Sequence, residues 1–174
     1  RIIDLGTGSG CLLLTLLHEY KNATGVGTDF SQGALKVARA NGKNLDLSMR
    51  AGFVLADWND GVSDFGTFDI IVSNPPYVPA GEEDTLQPEV SRFEPHSALF
   101  AGIDGLQDYR TIISRLPGLT VQGSGVFFEV GVNQAGVVSR LMEKAGMDEV
   151  VTRRDLASVE RCVSGKILGA VLDN

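Results

Sequence analysis

Arg1-Ile2-Ile3-Asp4-Leu5-Gly6-Thr7-Gly8-Ser9-Gly10 opens the chain, five residues of strand character running straight into a glycine turn. The apolar stretch from Cys11 to about Tyr20 then reads as a helix. Strand, glycine turn and helix in that order bring backbone N–H groups and a helix N-terminus close to whatever binds there. The spacing is G-x-G-x-G, not the G-x-G-x-x-G of many dinucleotide sites, and a plain tight turn between strand and helix is the alternative reading. Asp4, at the end of the strand, can accept a hydrogen bond from the turn or from a ligand ammonium.

Working outward, residues 24–28 form a second short strand that ends at Asp29, 19 residues after Gly10. A carboxylate there suits a ribose diol, because it can accept from both hydroxyls. Asp29 or Ser31 can equally cap the helix expected over about residues 32–44. Glycine turn and acid together point to an adenosine-type cofactor. Residues 51–56 read as a third strand leading into Asp57-Trp58, an acid and an aromatic that fit an adenine edge and face, or else a Trp that anchors a surface loop. The apolar run Phe68-Asp69-Ile70-Ile71-Val72-Ser73 is a fourth strand, and Asn74-Pro75-Pro76-Tyr77 follows it directly. Two consecutive prolines cannot donate to a sheet ladder, so the strand stops there. They also stiffen the backbone that carries the Asn74 carboxamide and the Pro75 carbonyl, two acceptors able to face one small pocket. Tyr77 adds an aromatic wall. The plain alternative is a Pro-rich turn at a strand end.

Four strand tips in succession thus carry Gly6 to Gly10, Asp29, Asp57 and Asn74, all expected at the carboxyl edge of one parallel sheet, where open α/β folds place their sites. The fold class is α/β, Rossmann-like, with a mostly parallel seven-stranded sheet and helices on both faces. Residues 78–106 form a long connection rich in Pro, Gly and acids, of the kind that is functional or disordered. A helix is expected from Gln107 to about Leu116, with Asp104 as a cap and Pro117-Gly118 ending it. A fifth strand over 125–130, a helix over 134–144 ended by Gly146, and a sixth strand over 149–153 follow. The last strand is expected within 160–172, with a bulge or bend near Gly165.

With 174 residues, 43% apolar and 21% charged, the chain reads as one globular domain, residues 1–174. No stretch approaches a membrane span and no signal peptide is visible. Two cysteines, Cys11 and Cys162, lack metal-like spacing, so a reduced, cytoplasmic setting is the default and no metal site is expected. Cys11 is read as a small buried core residue, although a helix N-terminus also lowers a thiol pKa. His18 and His96 have no partner at triad or metal spacing and are read as structural or exposed. Glu129, at a strand end, is a candidate brace for the Asn74 loop or a neighbouring turn, and not an obvious general base. The net charge of −7 is uneven: residues 57–94 hold nine acids against Arg92, a segment of −8, leaving the rest near +1. Around Asn74 such a segment disfavours a nucleic acid, whose phosphates call for a basic rim. It is either a solvated acidic loop or a surface for a basic protein.

At this point the residues resemble a known family, the protein-(glutamine) methyltransferases of the PrmC/HemK type that act on peptide chain release factors. The matching stretches are Asp4 to Gly10, Asn74 to Tyr77, and Glu94-Pro95 with Ala98-Leu99-Phe100-Ala101-Gly102. Asp104-Gly105-Leu106 with Tyr109-Arg110, and Phe128-Glu129-Val130-Gly131 with Gln134, continue it nearly end to end. The glycine turn is shared with many methyltransferases, and Asn-Pro-Pro-Tyr with enzymes that methylate exocyclic amines of adenine or guanine. The stretch from Glu94 to Arg110 narrows the likeness. A sister group that modifies a ribosomal protein is similar, but Tyr109-Arg110 and Asp155-Leu156-Ala157 lean toward the release-factor group. The chain lacks the helical N-terminal domain of that family, so it is read as a catalytic fragment. It also has Ser158 where the family more often has Gly after Asp-Leu-Ala.

The resemblance implies a class I fold and S-adenosyl-L-methionine as methyl donor, leaving S-adenosyl-L-homocysteine. It assigns Asp4, Gly6, Thr7, Gly8, Gly10, Asp29, Asp57, Trp58 and Asn74 to the cofactor. It assigns Asn74, Pro75 and Tyr77 to catalysis, and Asn74, Pro75, Pro76 and Tyr77 to the substrate glutamine of a Gly-Gly-Gln loop. A release factor is then the partner of a monomeric enzyme, with no nucleic-acid substrate and no membrane. Methylation of a ribosomal protein, methylation of nucleic acid, and a non-catalytic cofactor-binding module are the competing readings.

Overall fold

The first and fourth strands are apolar on both faces, so layers pack against either side of the sheet. A computed structural model describes residues 1–58, 65–82 and 98–168. Among them the strands are β1 (Ile2–Leu5), β2 (Gly25–Asp29), β3 (Ala51–Leu55), β4 (Phe68–Ser73), β5 (Thr120–Glu129), β6 (Asp148–Arg154) and β7 (Glu160–Lys166). The helices are α1 (Cys11–Glu19), α2 (Gln32–Asn44), α3 (Gln107–Leu119) and α4 (Ala135–Lys144). Ile3 and Leu5 point to one face, where they meet Ile71, Val126, Phe128 and the buried stripes of α3 and α4. Ile2 points to the other, against Leu13, Leu14 and Leu17 of α1. Fully burying each of these leucines stabilises the fold by roughly 1.5–3 kcal/mol.

The strands form a seven-stranded sheet in the order β3-β2-β1-β4-β5-β7-β6. β1, β2, β3, β4 and β5 are parallel, and β7 runs antiparallel to both β5 and β6. The first strands are added outward from β1 to β3, and β4 then falls on the opposite side of β1. That reversal opens a crevice between the carboxyl ends of β1 and β4.

Several boundaries differ from the sequence reading. α3 runs through Pro117-Gly118 to Leu119. Its buried positions Tyr109, Ile112, Ile113, Leu116 and Leu119 continue one helical stripe, and a proline in the last turn removes only one N–H from it. The Leu116 carbonyl is then taken by Thr120 through both N–H and Oγ1, the latter at 2.8 Å. Asp104 is not the cap of α3. The cap position is Leu106, and Asp104 turns the chain before it, accepting from Leu106 N–H at 3.1 Å and pairing with Arg110 at 2.6 Å. β5 begins at Thr120, five residues ahead of Gly125, because Ser124 Oγ bonds the Phe68 carbonyl at 2.7 Å and ties this extra length to β4.

β7 ends at Lys166, and Gly165 pairs with Val126 without a bulge. Its lack of a side chain serves packing instead, since a Cβ there would come within 3.2 Å of Met142 and Val150. The irregularities of this region lie in the β6–β7 pairing, between Asp148 and Val151 and between Arg153 and Arg154. Cys11 is exposed, not buried, because the face of α1 that meets the sheet is carried by Leu13, Leu14 and Leu17. The end of α4 follows the reading: Gly146 N–H bonds the Glu143 carbonyl and Met147 N–H the Met142 carbonyl, closing the helix. Among the described residues no helix is long and apolar enough to cross a membrane, and no cluster of His, Cys, Asp or Glu could hold a metal ion.

Candidate active site

Strand register brings the strand-tip residues together. Leu5 lies beside Ser73 on one side and Thr28 on the other, and Asp29 lies beside Leu55. Ser73 Oγ donates to the Leu5 carbonyl at 2.7 Å in the buried sheet, locking β4 to β1 at their last residues. Gly6 and Asn74 therefore leave the same sheet edge from neighbouring strands, at the crevice of the switch point.

The turn from β1 to α1 is held by two acids. Gly6 and Thr7 N–H groups both donate to the Thr28 carbonyl, at 2.9 and 2.8 Å. Gly8 N–H donates to Asp29 Oδ2 at 2.9 Å, while Asp29 Oδ1 accepts from Ser31 N–H at 2.8 Å. Ser31, not Asp29, caps α2, accepting from Ala34 N–H. The cap position of α1 is Gly10, which has no side chain to offer. Asp4 substitutes for it from the strand, its Oδ2 accepting from Leu13 N–H at 3.3 Å and from Thr7 Oγ1 at 2.7 Å. Of the two acceptor roles open to Asp4 in the sequence, the structure realises the bond to the turn. The N–H groups of Cys11 and Leu12 have no partner within the helix, as first-turn groups never do. A side chain added at Gly8, where φ is +55°, would meet no protein atom within 4 Å, so the backbone there borders open space.

Burial pushes the Asp4 carboxyl up to about 6 from 3.8, against the lowering effect of its bonds to Thr7 and Leu13. The folded protein thus binds this proton more tightly than the unfolded chain, so Asp4 costs stability as pH rises from about 4 to above 6. A shift of this size is worth about 3 kcal/mol. In urea titrations Asp4→Asn is expected to gain that amount on the parent between pH 4 and pH 7. A difference that stays flat with pH would contradict the assignment.

At the tip of β3, Asp57 is exposed and Trp58 is half-buried. The Trp58 ring lies on the glycine turn, 2.9 Å from where a Gly6 Cβ would sit. Asp108, in the first turn of α3, faces the same region: burial first, and then the Asp57 charge, raise its carboxyl above the usual range. The sequence reading did not single out Asp108, since its separation of 51 positions from Asp57 hides the proximity.

Beyond β4, Asn74 is exposed, Pro75 and Pro76 are buried, and Tyr77 is half-buried. Asn74, Pro75 and Tyr77 line a cleft of about 1100 Å³, shared with Asp104, Gln134 and Arg161. Val78 pairs with Phe100 in a parallel bridge, so the segment after the prolines is tied to the segment before α3. Two expectations change here. The acids of the 57–94 segment do not all surround Asn74: Asp69 is the second residue of β4, at the opposite edge of the sheet, where its N–H bonds the Arg1 carbonyl. Asp57 and Glu82 are exposed, and Asp60, Asp64, Glu83, Asp84, Glu89 and Glu94 lie outside the described residues, as do Pro95 and His96. Nor is Glu129 the brace of the Asn74 loop. Its backbone carbonyl receives Tyr109 Oη at 2.8 Å, while the bond to the loop comes from Gln134, whose Nε2 donates to the Tyr77 carbonyl at 2.8 Å. In the sequence Gln134 stands as a helix start and as part of the family resemblance, and neither shows that it reaches Tyr77.

The model of the methyltransferase small domain family matches residues 1–90, from β1 through the Asn74 loop. The chain belongs to this family. Relatives of the family are similar along nearly the whole chain. The release factor glutamine methyltransferase of Rhodospirillum rubrum is 44% identical over 163 residues, 94% of this chain and 50% of that protein. The enzyme of the same name from Caulobacter vibrioides is 43% identical over 164 residues, 94% of this chain and 56% of that protein. The chain thus spans about half the length of the curated relatives it matches. Among solved structures, TrmN from Thermus thermophilus aligns with a TM-score of 0.69 at 18% identity, covering 97% of this chain and 44% of that one. A methyltransferase from Pyrococcus furiosus aligns with a TM-score of 0.68 at 15% identity, covering 97% and 75%. At such identities the likeness is one of fold, the Rossmann-like class I fold of S-adenosylmethionine-dependent methyltransferases. Family and fold together imply S-adenosylmethionine as methyl donor.

Proposed function

We propose that this chain carries the methyl-transfer site of an enzyme that methylates the side-chain amide nitrogen of the glutamine in the Gly-Gly-Gln loop of a peptide chain release factor. The observation that carries this reading is the exposed Asn74 carboxamide at the tip of β4, at the edge of a cleft and one strand away from the glycine turn. The names of the relatives at 44% and 43% identity support the substrate class.

The residues present fit the cofactor. The open space beside Gly8 leaves room for close backbone approach, with Gly6 and Gly10 completing the turn. Asp29 retains lone pairs for a ribose diol beyond those used by Gly8 and Ser31. Asp57 and Trp58 suit the edge and face of adenine. Asp4 and Thr7 act by holding the turn, and Asn74 borders cofactor and substrate alike. When bound, S-adenosylmethionine supplies an electrophilic methyl group on a sulfonium.

The chain's own residues have to make an amide nitrogen reactive. Its lone pair is delocalised into the carbonyl, which leaves it a weak nucleophile. Asn74 Oδ1 and the Pro75 carbonyl are two acceptors for its two hydrogens. Holding both hydrogens localises electron density on nitrogen, orients it, and stabilises the positive charge that develops there. Tyr77 packs against the glutamine side chain. No strong base is required, because an alkylated amide nitrogen sheds its proton readily.

The test is mass spectrometry of an unmodified release factor incubated with the protein and S-adenosylmethionine, with a ribosomal-protein arm and a nucleic-acid arm beside it. A single added methyl on the glutamine of the Gly-Gly-Gln loop is expected. Methyl transfer confined to either other arm would overturn the reading.

A further inference from the structure

We infer that Gln134 is a positioning residue for methyl transfer, holding the segment 74–77 in its working conformation through its own carboxamide. The inference rests on the reading of Asn74 and Pro75 as the acceptors for the substrate amide. Gln134 sits at the start of α4, half-buried, and each polar atom of its side chain is used. Nε2 donates to the Tyr77 carbonyl at 2.8 Å and to the Gly105 carbonyl at 3.3 Å. Oε1 accepts from Gly131 N–H at 3.0 Å. One side chain thus ties together three loops at the carboxyl edge: the one after β4, the one before α3 and the one after β5.

The network allows only one orientation of the carboxamide, because two of its partners are carbonyls and the third is an N–H. Close contact enforces it. A Cβ at Gly131 would fall 2.7 Å from Gln134 Oε1 and 2.9 Å from the Tyr77 ring. A Cβ at Gly105, where φ is +69°, would fall 2.4 Å from the Tyr77 carbonyl oxygen and 2.8 Å from Gln134 Nε2. Glycine at both positions lets the three backbones approach within reach of one amide. The Tyr77 carbonyl is two residues from the Pro75 carbonyl and three from Asn74, across two stiff prolines, so a shift at Tyr77 passes to both acceptors. Gln134 touches the loop and is not needed at the reacting atoms, so its removal acts on rate through geometry.

Two variants test this. Gln134→Met keeps length and bulk and removes all three bonds. Gln134→Glu keeps an acceptor for Gly131 but turns a carboxylate toward two carbonyls. In both, cofactor affinity by calorimetry is expected to stay within about twofold of the parent. Methyl transfer to the release factor is expected to fall on the order of 10²-fold, in steady-state kcat and not in KM and with the single-turnover rate falling alike, as displacement of a positioned group by about 1 Å does. Amide hydrogen exchange is expected to speed up in residues 77–80 and 101–106 while the sheet strands stay protected. Transfer within twofold of the parent in Gln134→Met, or a loss of cofactor affinity equal to the loss of rate, would overturn the inference. If the parent itself transfers no methyl to the release factor, the proposed function fails. Hydrogen exchange then still decides for Gln134, and unchanged exchange in residues 77–80 overturns its role.

Discussion

Asn74→Ala is expected to retain cofactor binding and to lose methyl transfer by on the order of 10²–10³-fold, the range typical of removing one preorganised polar group from a reacting centre. The carboxamide is exposed at the sheet edge. Ser73 before it is locked to β1 through the Leu5 carbonyl, and the two residues after it are buried prolines, so truncating Asn74 leaves the backbone in place. In the proposed mechanism, what disappears is one of two acceptors for the amide hydrogens, and the Pro75 carbonyl alone would not fix the plane of the substrate amide. Asn74→Asp separates shape from charge. It keeps an acceptor oxygen and adds a negative charge, so it is expected to recover part of the rate lost in the alanine variant. Single-turnover assays with calorimetric binding in parallel read both quantities. Turnover in Asn74→Ala equal to that of the parent would remove Asn74 from the mechanism.

Asp29→Ala should produce the opposite pattern, with cofactor affinity falling about 100-fold and the release factor still bound. Asp29 is 8% exposed. Its carboxylate serves two backbone donors, Gly8 N–H at 2.9 Å and Ser31 N–H at 2.8 Å. Losing it removes the acceptor proposed for a ribose diol and also frees the glycine turn, two effects that would each cost about 1–3 kcal/mol. Thermal unfolding should therefore shift as well. Asp29→Asn keeps one oxygen and tells the two effects apart, since it can still hold one donor while accepting less well from hydroxyls. Unchanged cofactor affinity in Asp29→Ala would leave the second strand tip without a role in binding.

Much of this site was legible in one dimension. The glycine turn, Asp29, Asp57 with Trp58, and Asn74 each follow a strand whose apolar run is easily read, and parallel strands bring their ends to one edge. Elements with a strong local period are legible in the sequence: α2 spans Gln32–Asn44, and β4 spans Phe68–Ser73. Local signals mislead where a long-range contact outweighs them. Pro117-Gly118 reads as a stop, yet the stripe ending in Leu119 has a core to bury against. Cys11 reads as a core residue by type, but its place on the helix surface turns it outward. Gly165 reads as a bulge, and its meaning is the space needed by Met142 and Val150.

The sequence by itself determined the alternation of strand and helix, the parallel half of the sheet and the residues at its carboxyl edge. These depend on period, turn chemistry and residue type, which are properties of neighbours in the chain. Only the tertiary structure decided which groups hold those residues still. Asp4 caps a helix that begins at a glycine, and Gln134 reaches back 57 positions to Tyr77. Asp108 shares a field with Asp57, while Asp69, five residues before Asn74, lies at the far edge. Hydrogen bonds and charges act over a few ångströms in space, and separation along the chain carries no record of that distance until the strands are in register.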